Sequence, residues 1–185
     1  MIEVPLNLAT RLINHGPVVL VSSRSGERKG VTPVAWTMPL EKDPPLIALV
    51  ISESHFIYRC ITETGDFVVN IPSSGMAGAV MACGNISGHD EDKFSVAGLS
   101  ERMSRKVLSP GVAGSMAFLE CELVRDRHLL EEYNVVAGRV KYAEAEESAF
   151  RGHWLFEKDE LLTLHHLGNG LFCRPETKLM DLRGT

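Results

Sequence analysis

Short runs of β-branched and apolar residues, separated by glycine- and proline-containing breaks, dominate the first half of the chain. Pro17 to Ser23 (PVVLVSS) is such a run, bounded by Gly16 and by Ser25-Gly26-Glu27-Arg28-Lys29-Gly30, and predicts a strand entering a hairpin loop. Val31 to Pro39 predicts the returning strand, and Asp43-Pro44-Pro45 a corner after it. Leu46 to Ser52 (LIALVIS) is apolar almost throughout, the pattern of a strand buried on both faces, so it is expected at the centre of the sheet.

From Ser54 the period changes. Phe56, Ile57, Cys60 and Ile61 fall at helical spacing, with Ser54 placed to cap the start and Gly65 to end it. Asp66 to Ile71 (DFVVNI) predicts a strand stopped by Pro72, and Met76 to Cys83 a second short helix ending at Gly84. Glu120 to Leu130 and Tyr133 to Ala145 predict two longer strands joined near Glu131-Glu132. Two short helices among six or more strands, without regular strand and helix alternation, predict a mainly β fold, a β-barrel with appended helices. Residues 146–185 follow no clear period. Their apolar side chains, among them Trp154, Phe156, Leu161 and Leu171, predict packing either within the chain or on a second subunit.

Composition narrows the class without changing this outline. With 185 residues, 44% hydrophobic and 23% charged, one globular domain over residues 1–185 is expected. No apolar run approaches the roughly 20 residues of a membrane span, and the opening Met1-Ile2-Glu3-Val4-Pro5 lacks a secretory pattern, so no membrane association and a cytoplasmic location are expected. The formal charge of −5 carries no basic stripe, which argues against a nucleic-acid partner. The four cysteines, at 60, 83, 121 and 173, show no metal-ligand spacing; Cys60, Cys83 and Cys121 are expected as free thiols in the core.

Three stretches could carry chemistry. Ser52, Ser54 and His55 lie at a strand end and helix start, where backbone N–H groups and the helix dipole favour an anion such as a phosphate. The alternative, Ser54 as a plain cap and His55 in solvent, stays open at this point. In Cys83 to Phe94 (CGNISGHDEDKF), Gly88 allows a close turn, Ser87 and His89 offer donors, and Lys93 would supply a mobile charge. Asp90, Glu91 and Asp92 can equally be first-turn acids on an ordinary helix. The third stretch, Thr32-Pro33-Val34-Ala35-Trp36-Thr37, presents accessible backbone with little bulk and an aromatic wall, as a flat ring system needs; an ordinary strand with a buried Trp is the competing reading. His165 and His166 point to different sides of a strand and do not form a shared metal site, so a pocket-wall or interface role is preferred for them.

These segments occur in a telling order: Pro17-Val18-Val19, Thr32-Pro33-Val34-Ala35-Trp36, Asp43-Pro44-Pro45, Ser52-Glu53-Ser54-His55, Phe67-Val68-Val69-Asn70 and Ser87-Gly88-His89-Asp90-Glu91-Asp92-Lys93-Phe94. The series resembles the flavin reductase-like, FMN-binding split-barrel family, which includes the flavoredoxins. Later, Phe118-Leu119-Glu120-Cys121 resembles the family's core strand and His165 to Gly170 its C-terminal glycine-rich turn. The resemblance implies a split-barrel homodimer binding FMN near the subunit interface. It places the ring on Thr32, Pro33, Val34, Ala35, Trp36 and Thr37, and the phosphate on Ser52, Ser54, His55, Ile57, Ser87, His89 and Lys93. The chain departs from the pattern at Gly30, where Asn is usual, at Ile57, where Thr is common, and at His55 and His89, which stand for Arg or Lys.

No serine, cysteine or carboxylate set shows a nucleophile-and-base pattern, so no catalytic side chain is expected and the cofactor would carry the chemistry. Two functions follow from the resemblance. One is an NAD(P)H-dependent flavin reductase; lacking a GxGxxG fingerprint, the chain would have to stack the nicotinamide directly on the flavin. The other is a flavoredoxin-type electron carrier with permanently bound FMN and a redox partner protein.

Overall fold

The computed structural model describes residues 16–176. In chain order the elements are β1 (Val19–Ser25), β2 (Arg28–Val34), β3 (Thr37–Lys42), β4 (Pro45–Val50), α1 (Phe56–Thr64), β5 (Asp66–Ile71), α2 (Ala77–Asn85), α3 (Lys93–Val96), β6 (Glu101–Arg102), β7 (Gly111–Val112), β8 (Ala117–Leu123), β9 (Val135–Ala145), β10 (His165–Gly168) and β11 (Leu171–Cys173). Seven strands form one sheet in the order β2-β1-β5-β8-β9-β4-β3, and every neighbouring pair is antiparallel.

The expected β1–β2 hairpin forms, from Val19 opposite Val34 to Ser25 opposite Arg28, but with a tighter connection: Ser25 and Arg28 to Gly30, read as loop, are paired strand, and only Gly26 and Glu27 lie between the strands. The strand expected from Val31 to Pro39 is instead two. The chain leaves β1 at Val34, passes through Ala35 and Trp36, and re-enters the sheet as β3 on β4. Pro33 and Pro39 cannot donate to a ladder, which confines both β2 and β3 to sheet edges. Those edges are joined by two residues, and Val34 and Thr37 can lie at most about 11 Å apart. A flat seven-stranded sheet at about 4.8 Å per strand would hold its edges roughly 29 Å apart. The sheet must therefore curl until its edges meet, and the result is a barrel with a seam at Ala35-Trp36.

Four further expectations are corrected. β4 lies next to an edge, not at the centre, which β8 occupies. Its apolar run serves two environments: Leu49 is in the core, whereas Val50 is 38% exposed. The strand expected from Glu120 to Leu130 ends at Leu123, and His128–Glu132 form a π-helical turn, where the Asp126 carboxylate accepts from the Leu129 N–H at 3.1 Å and offers the backbone a local alternative to the ladder. Ser54 does not cap α1: the N-cap is His55, with no side-chain cap bond, because the Ser54 hydroxyl meets Ser52 Oγ at 2.9 Å. Gly84 does not end α2, which runs on to Asn85; a Cβ there would stand 3.4 Å from Pro33 Cγ, so the glycine serves helix-to-strand contact. Gly65 does end α1, at φ 81°, with its N–H on the Ile61 carbonyl.

β1 is buried on both sides. Val19 and Val21 join α1, Phe67, Val69 and Cys121 in one apolar cluster, while Val18 and Leu20 join Val80, Cys83 and Phe94 of the α2–α3 side in another. The segment between β5 and β8 is held by buried polar groups. Asn70, fully buried, donates to the Leu20 carbonyl at 2.7 Å and to Ser22 Oγ at 2.9 Å and accepts the Val112 N–H at 2.7 Å. Fully buried Glu120 accepts the N–H groups of Arg105 and Lys106, and Asp66 those of Leu108 and Ser109. The 146–176 region, illegible in sequence, returns along β1 through Val18 N–H to the Leu164 carbonyl at 2.7 Å and delivers the β10–β11 hairpin.

Asn70→Ala is expected to lower stability by about 2–4 kcal/mol in urea unfolding, because it orphans buried acceptors and a buried N–H together. A loss near zero would show the network to be dispensable. The buried thiols generate a second expectation. Burial pushes Cys60 and Cys83 up to about 11 and Cys121 higher still, while Cys173 is exposed. At about pH 8 a thiol reagent should label one site quickly, and Cys173→Ser should remove that phase; a second fast thiol would contradict the burial.

Candidate functional site

A cavity of about 350 Å³ opens beside the seam, between the end of β2, the start of α1 and the turn that follows α2. Thr32 and Pro33 supply one wall, Ser54, His55, Phe56 and Ile57 a second, and Asn85, Ser87, Gly88, His89 and Lys93 the third. Two features bring β2 and α1 this close. Gly30 has no side chain where a Cβ would sit 3.3 Å from both Ile57 Cδ1 and Phe56 Cδ1, so at the position where the resemblance expects Asn the helix lies too close to β2 for a side chain without a shift. Asn134, at φ 55°, accepts the Ile51 N–H through its backbone and the Glu53 N–H through its side chain, fixing the turn that launches α1.

The cavity suits an anion at this end. α1 presents an N-terminus with no side-chain cap and no acidic residue in its first turn, so the positive end of its dipole faces the cavity. Ser54 and Ser87 add hydroxyls, and the Ser87 hydroxyl also accepts the His89 N–H at 3.2 Å. His89 reaches across to the Ser54 carbonyl, 3.1 Å from Nε2, and so bridges two walls.

Lys93 differs from expectation. It is 9% exposed and its Nζ donates to the Cys83 carbonyl at 2.7 Å, so it is a fixed strut under the turn at the cavity wall and not a mobile charge. Burial draws its pKa below the ordinary lysine value, opposed by the nearby Cys83. Asp92 caps α3 by accepting the Phe94 N–H at 3.0 Å; Asp90 and Glu91 precede the helix and are not first-turn acids.

A second cavity of about 390 Å³ shares Pro33, Gly84 and Asn85 with the first. Its lining is mostly apolar: Ala35, Trp36, Val80, Met81 and Phe172, with His166 beside them. His166 packs on Phe172 with ring centroids 5.0 Å apart, whereas its neighbour His165 turns to Thr163 Oγ1 at 3.1 Å. Trp36, 46% exposed, also borders a shallow groove of about 130 Å³ with Val34, Ala35 and His55. The arrangement has one polar, positively biased end and a continuous apolar shelf along the seam. A flat ring system with an anionic tail fits that division, and FMN has this chemistry.

Of the residues expected from sequence, Thr32, Pro33, Ser54, His55, Ile57, Ser87, His89 and Lys93 line the first cavity, and Ala35 and Trp36 the second. Val34 is 7% exposed and belongs mainly to the core, as does Ile57 at 3%. Ser52 and Thr37 line neither cavity; Ser52 supports Ser54, and Thr37 pairs with Leu49 in the sheet. Sequence reasoning missed Phe56 and Asn85 as wall residues of the first cavity, and Arg28 as the group behind its third wall, whereas His166, expected at a pocket wall or an interface, lines the second cavity. Only the ordering of the glycine-bearing turn after α2 signalled any of these.

Comparison with known proteins agrees with this geometry. The model of the flavin reductase like domain matches residues 11–165. The uncharacterized protein YddH of Escherichia coli (strain K12) is 37% identical over 175 residues, covering 92% of this chain and 93% of its own length. Among solved structures, an FMN-binding domain of a flavin reductases-like enzyme from Shewanella baltica superimposes with a TM-score of 0.85 at 28% identity, covering 96% and 95% of the two chains. The flavoredoxin of Desulfovibrio vulgaris shares the fold, with a TM-score of 0.79 at 24% identity over 92% of each chain. With a mainly β split barrel and a family match across most of its length, the chain belongs to the flavin reductase like domain family.

Proposed function

We propose that the protein binds FMN along the seam and serves as an NAD(P)H-dependent oxidoreductase. The observation that carries this reading is the adjacency of two cavities that share Pro33, Gly84 and Asn85: an anion-favouring end built on α1 and an apolar shelf walled by Trp36 and Phe172. Ser54, His55, Ser87, His89 and Lys93 would hold the phosphate, and the small side chains at Thr32 to Ala35 leave backbone accessible to the ring. Bound FMN supplies acceptance of a hydride from a nicotinamide. The chain's own part is to orient the ring against Trp36, to keep one face open beside His166, and to limit water through Met81 and Phe172. The presence of FMN-binding proteins among its structural relatives supports the cofactor.

A second copy of the chain completes the proposal. β3 is an edge strand whose Met38 and Leu40 are 57% and 42% exposed, next to Trp36 and to Val50 on β4. An apolar edge of this kind, continuous with the seam, requires cover, and a homodimer with FMN near its interface provides it. A cytoplasmic setting is part of the same reading, supported by four free thiols.

The purified protein is expected to be yellow or to become so with added FMN, and the released chromophore should be FMN. Anaerobic stopped-flow mixing with NADH or NADPH should then bleach the flavin band rapidly. Reduction only by a partner protein would point to a flavoredoxin-type carrier, and a colourless protein that fails to bind FMN would overturn the proposal. Met38→Asp should convert the dimer to monomers in sedimentation velocity while circular dichroism stays unchanged; a wild type that is monomeric at tens of micromolar removes the dimer.

A further inference from the structure

Arg28 stands outside both cavities, at the first position of β2, and its guanidinium is engaged on two sides. Nη2 donates to the carbonyl of Gly88 at 2.8 Å and to that of His89 at 3.1 Å. Its flat face lies over the Phe56 ring, 4.2 Å from the centroid. Phe56 opens α1 and is 4% exposed; His89 meets it edge-on at 5.5 Å, and Gly88 lies where a Cβ would come within 3.1 Å of it. His89 in turn reaches the Ser54 carbonyl. One side chain thus ties together the three segments that wall the anion-favouring end.

The consequence is electrostatic as well as geometric. The carbonyls of Gly88 and His89 carry partial negative charge, and both are turned toward a cation that lies outside the cavity. They are therefore not presented to an anion within it, and the turn can offer Ser87 and His89 instead. Lysine could replace the charge, and its ammonium could reach one or both carbonyls, but it has no planar group to lie over Phe56 while it does so, so it reproduces the arrangement only in part.

We infer that Arg28 is a positioning residue that sets the preference of this turn for the phosphate ester of a flavin, an inference that rests on the FMN reading. It acts on the phosphate through Gly88 and His89 and leaves the ring's shelf along Ala35 and Trp36 untouched.

The test measures FMN and riboflavin, which share a ring and differ in the phosphate, by flavin-fluorescence titration on the wild type, Arg28→Ala and Arg28→Lys, with thermal melts alongside. Arg28→Ala should weaken FMN at least about tenfold and riboflavin less than about twofold, so the ratio between them collapses. Arg28→Lys should recover only part of that ratio. An unchanged ratio in Arg28→Ala overturns the inference, whether both affinities fall together, as plain destabilisation predicts, or neither moves. If Arg28→Ala does not fold, Arg28→Lys decides: a wild-type ratio there overturns the inference, and a reduced one at unchanged melting temperature supports it. A wild type with no preference for FMN over riboflavin overturns the phosphate reading of the cavity itself, a failure visible before any variant is made.

Discussion

The two-residue passage through Ala35 and Trp36 is the constraint on which the molecule depends. It joins the two edges of a seven-stranded sheet and so forces that sheet to curl, and proline on each side keeps the edges from zipping together along their length. Closure without full pairing leaves a seam. α1 packs in behind it from one direction and α2 from the other, with Gly30 and Gly84 setting the distances, so the cavities are what remains where two helices meet an imperfectly closed barrel. The site is a by-product of topology, and its side chains are refinements of it.

Much of this was legible in sequence. The β1–β2 hairpin, the body and end of α1, and β5 followed from β-branched runs, helical spacing and Gly65, all of which act locally. The cavity's walls were legible as three separate strings because each carries its own glycine, serine or proline signal. What escaped was what depends on the partner across the fold. Val31 to Pro39 looked like one strand because nothing local says that its halves pair with β1 and β4, at opposite ends of the sheet order. Leu46 to Ser52 looked central because an apolar run gives no sign of whether its second face meets a core or an open surface. Arg28 read as a loop cation, since its acceptors lie sixty residues later in the chain.

The other face of the barrel is organised differently. There the loop from Met103 to Pro110 lies against the sheet, and its backbone N–H groups end on the carboxylates of buried Glu120 and partly buried Asp66, while Asn70 accepts the N–H of Val112 in β7. Carboxylates that accept two successive N–H groups hold backbone as firmly as a strand does, without requiring a regular sequence. This explains why the FVVN segment keeps an amide among valines: Asn70 joins β1, β5 and β7 in place of a ladder bond.

The strand order also has a consequence in time. β4 pairs Leu46 with Arg139 and Val50 with Val135, so its neighbour toward the sheet centre is made long after it is. Until then, a growing chain carries β3 and β4 as a hairpin with apolar faces and no sheet to join, a state that contacts of long sequence separation make slow to resolve. The wall at His166 and Phe172 arrives later still. The seam therefore has all its walls only once Phe172 has been made, well after the strands that flank it.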